Sequence, residues 1–220
     1  MTEQPPVHIS IVLDRSGSMS SIVDDVVGGF NTFLHEQREE AGSARVTLVQ
    51  FDGQDPFEVL IDGEDLHAVQ DLDPRRYQPR GSTPLLDAVG AVVARIDCEI
   101  VTRADQGQPI EDQVVVIITD GYENASSEFG GRMISDLIAA MKERAWTFVF
   151  LGAGEASIRD SVAMGVAPGS STRWEASKGG TDAMFKQLSK ETLDYRSRSY
   201  DARRIKSEKF FEDEADDDTT

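Results

Sequence analysis

Four stretches of the chain are apolar or β-branched over most of their length: Val7 to Leu13, Arg45 to Phe51, Val114 to Thr119 and Thr147 to Leu151. Runs of this kind, too short for buried helices and lacking strict alternation, predict strands of a parallel sheet covered on both faces. Between them lie stripes at i, i+3, i+4 spacing: Ile22, Val26, Phe30, Phe33 and Leu34; Leu85, Val89, Val92, Val93 and Ile96; Met133, Leu137, Ile138 and Met141. Each stripe predicts a helix with one buried face. A further helix is expected near 179–195, from Met184, Phe185 and Leu188.

Strands alternating with helices imply right-handed crossovers, hence a three-layer, doubly wound α/β fold with helices on both faces of a mostly parallel sheet. Phe57 to Ile61 follows Phe51 after only DGQDP, too short a link for a crossover, so this segment is expected to pair antiparallel at the edge. The expected organisation is an extension over 1–6, one domain over 7–195 and a tail over 196–220. Residues 196–209 carry six Lys or Arg against two acids and 210–220 carry six acids, which reads as a solvated, flexible tail.

Charge narrows the partners. With 40 Asp and Glu against 22 Lys and Arg, a formal net charge of −18 repels phosphate backbones and anionic lipid. A role as a scaffold in a ribonucleoprotein particle would have to rest on the short basic stretch Arg196 to Lys209. No apolar run reaches the ~18 residues of a membrane helix. The single cysteine, Cys98, and a start without a basic-then-apolar signal point to the cytoplasm.

Candidate chemistry gathers where strands are expected to end, the ligand-binding edge of an open α/β sheet. Asp14-Arg15-Ser16-Gly17-Ser18 follows the first strand, Gly81-Ser82-Thr83-Pro84 precedes a helix, and Asp120-Gly121 follows VVVIIT. All supply small oxygen donors, the class that a hard dication such as Mg²⁺ takes. Ser16 and Ser18 can aim two hydroxyls at one point, with Asp14 and Asp120 as carboxylates and Thr83 as a third hydroxyl. A site built mostly of neutral hydroxyls leaves the ion under-neutralised and open to a partner's carboxylate. Mn²⁺ or Ca²⁺ would satisfy similar donors. Each piece also has a structural reading: DRSGS as a turn, Thr83-Pro84 as a helix cap with proline at N1, Asp120-Gly121 as a turn.

LDRSGSM, GSTPLLDA and IITDG together resemble the three parts of the metal-ion-dependent adhesion site of von Willebrand factor A domains. The pattern DxSxS, then a distant Thr, then a distant Asp is complete in Asp14, Ser16, Ser18, Thr83 and Asp120. The resemblance covers most of 7–195 and implies that the first strand neighbours VVVIIT, setting Asp14 beside Asp120. It further implies direct metal contact by both serines and the threonine, acids acting largely through water, and a partner protein that completes the shell with an acidic side chain. FNTFLHEQ, VTLVQFD and YQPRGSTPLLDA are similar to compact intracellular bacterial or phage members, which stand beside multi-protein systems. Arg15 is then expected beside the metal, facing an acidic partner.

Other residues carry less. His8, His35 and His67 have no metal-ligand spacing. The Gly152 to Ser157 segment resembles a dinucleotide loop only weakly, since Ser157 stands where Gly or Ala belongs. Tyr122, Glu123 and Asn124 are expected to border the site, either selecting the partner or as a plain polar loop. No Ser/His/Asp or Cys/His arrangement is evident, which leaves a non-enzymatic interaction module as the leading reading. Its enzymatic rival is a Mg²⁺-dependent phosphohydrolase using Asp14 as nucleophile, which the serine at position 16 disfavours because a second acid is needed there.

Overall fold

A computed structural model describes residues 5–39 and 42–212. Six strands form one sheet: β1 (Val7–Asp14), β2 (Ala44–Phe51), β3 (Glu58–Asp65), β4 (Asp112–Thr119), β5 (Thr147–Ala153) and β6 (Ser171–Trp174), in the order β3-β2-β1-β4-β5-β6. Every pair is parallel except β2 with β3, so the antiparallel edge is the one expected from the short DGQDP link. The helices are α1 (Val23–Glu39), α2 (Leu85–Asp105), α3 (Gly131–Glu143), α4 (Gly154–Ala163), α5 (Lys178–Ser197) and α6 (Tyr200–Lys206).

Side-chain alternation along the strands sorts the core into two layers. Ile9, Ile11, Leu13, Val114, Val116 and Ile118 pack with Val26, Phe30 and Phe33 of α1 and Phe185 and Leu188 of α5. Val12, Val115 and Ile117 face the other way, onto Leu85, Val89, Val92, Val93 and Ile96 of α2 and Ile134 and Ile138 of α3. Along α3 the buried face is Ile134, Ile138 and Met141, while Met133, assigned to the stripe from spacing, is 55% exposed.

The chain order reverses between β1 and β4, whose register sets Leu13 against Ile118. β1 leads out through β2 on one side and β4 through β5 on the other, so the chain diverges at their C-terminal ends and a crevice opens there. Asp14 ends β1 and Asp120 follows β4 at that crevice.

Gly152 and Ala153 end β5, and Gly154, at φ +89°, opens α4. There Ser157 is buried, and its hydroxyl donates to the carbonyls of Ala153 at 2.9 Å and Gly154 at 3.2 Å. Residues 196–212, taken from their charge as part of a solvated tail, fold back beneath the sheet. Arg203 donates to Asp112 Oδ2 at 2.6 Å and Lys206 to Glu191 Oε2 at 2.7 Å, both buried, and Phe210 is 0% exposed against Tyr195. The basic residues there neutralise buried carboxylates, a role that composition does not register. Residues 1–4 and 213–220, at the two ends of the expected extension and tail, lie outside the described residues. Among the described residues no helix is long and apolar enough to cross a membrane.

Candidate metal centre

Three loops meet at the crevice, each fastened to another by the backbone. Arg80 N donates to Arg15 O at 2.9 Å and Gly17 N to Gly81 O at 3.1 Å, which joins the DRSGS loop to the loop before α2. Asn124 N donates to Thr83 O at 3.2 Å, which joins the latter to the loop after β4. From below, the buried Tyr77 hydroxyl donates to Asp14 O at 2.5 Å.

The side chains of Asp14, Ser16, Ser18 and Asp120 converge. Asp14 is fully buried; its Oδ1 accepts from Ser16 N at 2.6 Å and its Oδ2 from the Thr119 hydroxyl at 2.5 Å. Ser16 Oγ and Ser18 Oγ lie 3.1 Å apart, and Ser18 Oγ donates to Asp120 Oδ1 at 2.6 Å. Thr83 stands across Gly121: a Cβ built on that glycine would lie 3.2 Å from Thr83 Oγ1 and 3.8 Å from Asp14 Oδ2. The hydroxyl and the carboxylate therefore approach the same stretch of backbone, and a side chain at 121 would crowd both.

Capping of α2 does not fall to Thr83. The α2 amides of Leu86 and Asp87 donate to Glu123 Oε2 at 3.0 Å and Ser126 Oγ at 3.1 Å. In return the Asp87 carboxylate accepts from the amides of Ser127, Glu128 and Phe129 at 2.8 to 3.0 Å. Glu123 is thus spent inside the fold and Asn124, though exposed, is bonded to Thr83, while Tyr122 is 57% exposed.

Arg15 also departs from expectation. Its guanidinium turns beneath the loop, with Nε 2.7 Å from Asp52 Oδ2 and Nη1 2.6 Å from Glu58 Oε2, and the residue is 3% exposed. Arg80 Nε reaches the same Asp52 oxygen at 3.0 Å. Against its burial, the Gln54 amide, the Arg80 guanidinium, the Asp55 amide and the Arg15 charge hold Asp52 below the usual carboxylate range. The odd residue of DRSGS is therefore a tie between the loop and the β2–β3 edge.

The electrostatics suit a cation. Burial pushes the Asp14 carboxyl up to about 6, against the opposing bonds from Thr119 and Ser16, and burial also raises Asp120. Two carboxyls raised by burial in one crevice mark a place short of positive charge. Among the described residues no three His, Cys, Asp or Glu side chains are arranged to hold a metal; the candidate donors at the crevice are the hydroxyls of Ser16, Ser18 and Thr83 with the carboxyls of Asp14 and Asp120. Oxygen-only donors with few charges fit a hard dication that keeps part of its water. His8 belongs to the core, where its Nε2 is 2.8 Å from Thr47 Oγ1, and His35 bonds Asp71 at the surface.

The family model of the von Willebrand factor type A domain matches residues 8–189. The chain belongs to this family. Von Willebrand factor A domains are metal-dependent adhesion and protein-interaction modules. The fold is shared with proximal thread matrix protein 1 of the mussel byssus at TM-score 0.60 and 13% identity, over 88% of this chain and 47% of that one; one structure of that protein has a zinc-occupied adhesion motif. It is shared with the pilus adhesin SpaC of Lactobacillus rhamnosus GG at TM-score 0.65 and 12% identity, over 88% of this chain and 31% of that one. The domain of SpRpn10 matches at TM-score 0.56 and 13% identity, over 83% and 94%. The chain thus spans about half the length of the mussel protein and about a third of the adhesin. No curated protein matches it.

Proposed function

We propose that this von Willebrand factor A domain is a non-enzymatic, Mg²⁺-dependent protein-interaction module, with Asp14, Ser16, Ser18, Thr83 and Asp120 as its metal site and an acidic side chain of a partner protein as its ligand. The observation that carries the reading is the bonding of Ser16, Ser18 and Asp120 into one oxygen cluster beside the buried carboxylate of Asp14. A bound dication supplies a Lewis-acidic contact that a partner's carboxylate completes. The protein's part is to orient Ser16 and Ser18 through the Gly17 and Arg15 ties and to hold Asp14 fixed between Ser16 N and Thr119. Mg²⁺ is preferred over Mn²⁺ or Ca²⁺ on donor type and abundance. The free, exposed thiol of Cys98 favours a reducing, cytoplasmic setting, and the resemblance carried by FNTFLHEQ, VTLVQFD and YQPRGSTPLLDA favours a multi-protein bacterial or phage system.

A nucleophilic role for Asp14 is disfavoured by the same geometry, because both its carboxylate oxygens are engaged and the residue is sealed from solvent. The test is isothermal titration of the purified chain with Mg²⁺ and with Mn²⁺, alone and with a glutamate-rich peptide, set against Asp14→Asn. Metal-dependent peptide binding that disappears in the variant is expected. Metal titration that does not differ between the two proteins, or Mg²⁺-dependent hydrolysis of a phosphate ester lost in Asp14→Asn, would overturn the proposal.

A further inference from the structure

Thr83 is the member of the cluster least secured by its own segment. Gly81, two residues earlier, has φ +69°, and Pro84, the next residue, has no amide to donate. Both backbone groups of Thr83 are instead held by one residue of another loop: Thr83 N donates to Asn124 Oδ1 at 2.9 Å, and Asn124 N donates to Thr83 O at 3.2 Å. This two-bond ring lies next to the crossed caps in which Glu123 and Ser126 serve the α2 amides and Asp87 serves the amides of 127–129. The loop that begins at Asp120 thereby also fixes the position of Thr83.

We infer that Asn124 is a positioning residue for the metal site, acting through Thr83: it sets the Thr83 hydroxyl across Gly121 from Asp14, so that one loop delivers the Asp120 carboxylate and registers the third hydroxyl. The inference rests on the reading of the site given above. Asn124 is itself an exposed residue, where truncation ordinarily changes little. Residues that orient ligands without touching the ion typically cost 10–100-fold in metal affinity when changed.

The experiment measures Mn²⁺ affinity by electron paramagnetic resonance, and Mg²⁺ affinity by competition, in the full chain and in Asn124→Ala, Thr83→Ala, the double variant and Asp14→Asn. Asn124→Ala is expected to weaken binding about tenfold and, in the metal-free chain, to speed hydrogen exchange at the Thr83 amide. In the Thr83→Ala background the same change is expected to have no further effect on affinity, which a merely structural role would not produce. Asn124→Asp keeps the accepting oxygen, so Thr83→Ala is expected to cost as much in that background as in the wild type. This second pair keeps the test decisive if Asn124→Ala proves poorly folded. An affinity within twofold of wild type for Asn124→Ala, or an equal loss with and without Thr83, overturns the inference while Asp14→Asn still abolishes binding. No difference between wild type and Asp14→Asn overturns the site and the inference together.

Discussion

Ser18 donates a 2.6 Å hydrogen bond to Asp120 across 102 positions of sequence. Neither residue is near the other in the chain: Ser18 lies in the short 3-10 turn Gly17–Ile22 after β1 and Asp120 in the bend after β4, and they meet because β1 and β4 are hydrogen-bonded neighbours from which the chain leaves in opposite directions. The contact closes an oxygen cluster that one loop alone has no means of assembling.

Metal is expected to stabilise the folded chain in proportion to occupancy. At a Mg²⁺ concentration about 100 times Kd the gain is about 2.7 kcal/mol. Thermal or urea unfolding with and without EDTA checks it, and Asp14→Asn is expected to show no such gain. An equal gain in the variant would place the ion elsewhere.

Arg15→Ala is expected to cost about 3 kcal/mol, because it removes a buried guanidinium from Asp52 and Glu58 and leaves the Asp52 charge facing the part-exposed Arg80 guanidinium and the Gln54 and Asp55 amides. Urea denaturation measures it. The loss should appear without metal, which separates a loop tie from a partner contact.

Phe210→Ala is expected to destabilise by about 3–5 kcal/mol, the usual range for emptying a buried aromatic site. Phe210 is 0% exposed and packs on Tyr195 with ring centroids 5.9 Å apart. A change under about 0.5 kcal/mol, typical of solvated surface positions, would restore the reading of this segment as a tail.

Ala145 closes α3 in the left-handed region at φ 65°, with Trp146 N bonded to Met141 O and Ala145 N to Lys142 O. That is the Schellman arrangement in which glycine carries no Cβ penalty. Ala145→Gly is expected to raise stability by about 0.5–1 kcal/mol, read from the urea midpoint.

His8 predicts a pH dependence. Burial, followed by the nearby Arg45 charge, lowers its pKa from 6.5 to about 4. The unfolded chain therefore takes up a proton first as pH falls, so stability is fully present above about 6.5 and is lost progressively towards 4. One proton corresponds to a slope near 1.4 kcal/mol per pH unit and a total of roughly 3 kcal/mol. Comparing urea midpoints of wild type and His8→Gln across this window tests it; the variant should lack this contribution to the slope.

The sequence by itself determined the layers and the edge. The runs in β1, β2, β4 and β5 and the stripes of α1, α2 and α5 are legible because burial on both sheet faces, or on one helix face, leaves a period in the chain. The short link after Phe51 forced an antiparallel partner, since a crossover needs more residues. The loops carrying Asp14, Ser16, Ser18, Thr83 and Asp120 were legible as oxygen donors at strand ends and a helix start.

What only the tertiary structure decided is where individual polar groups send their bonds. Arg15 reads as a surface charge beside the loop and is in fact an internal tie, because its partners Asp52 and Glu58 are 37 and 43 residues away. Glu123 and Asn124 read as a rim and are taken up by α2 and Thr83, while Arg203 and Lys206 read as tail and neutralise buried acids. Hydrophobic burial is repeated along an element and leaves a periodic trace. A hydrogen bond or ion pair joins two single residues at arbitrary separation, leaves no period, and is fixed only when the chain has folded.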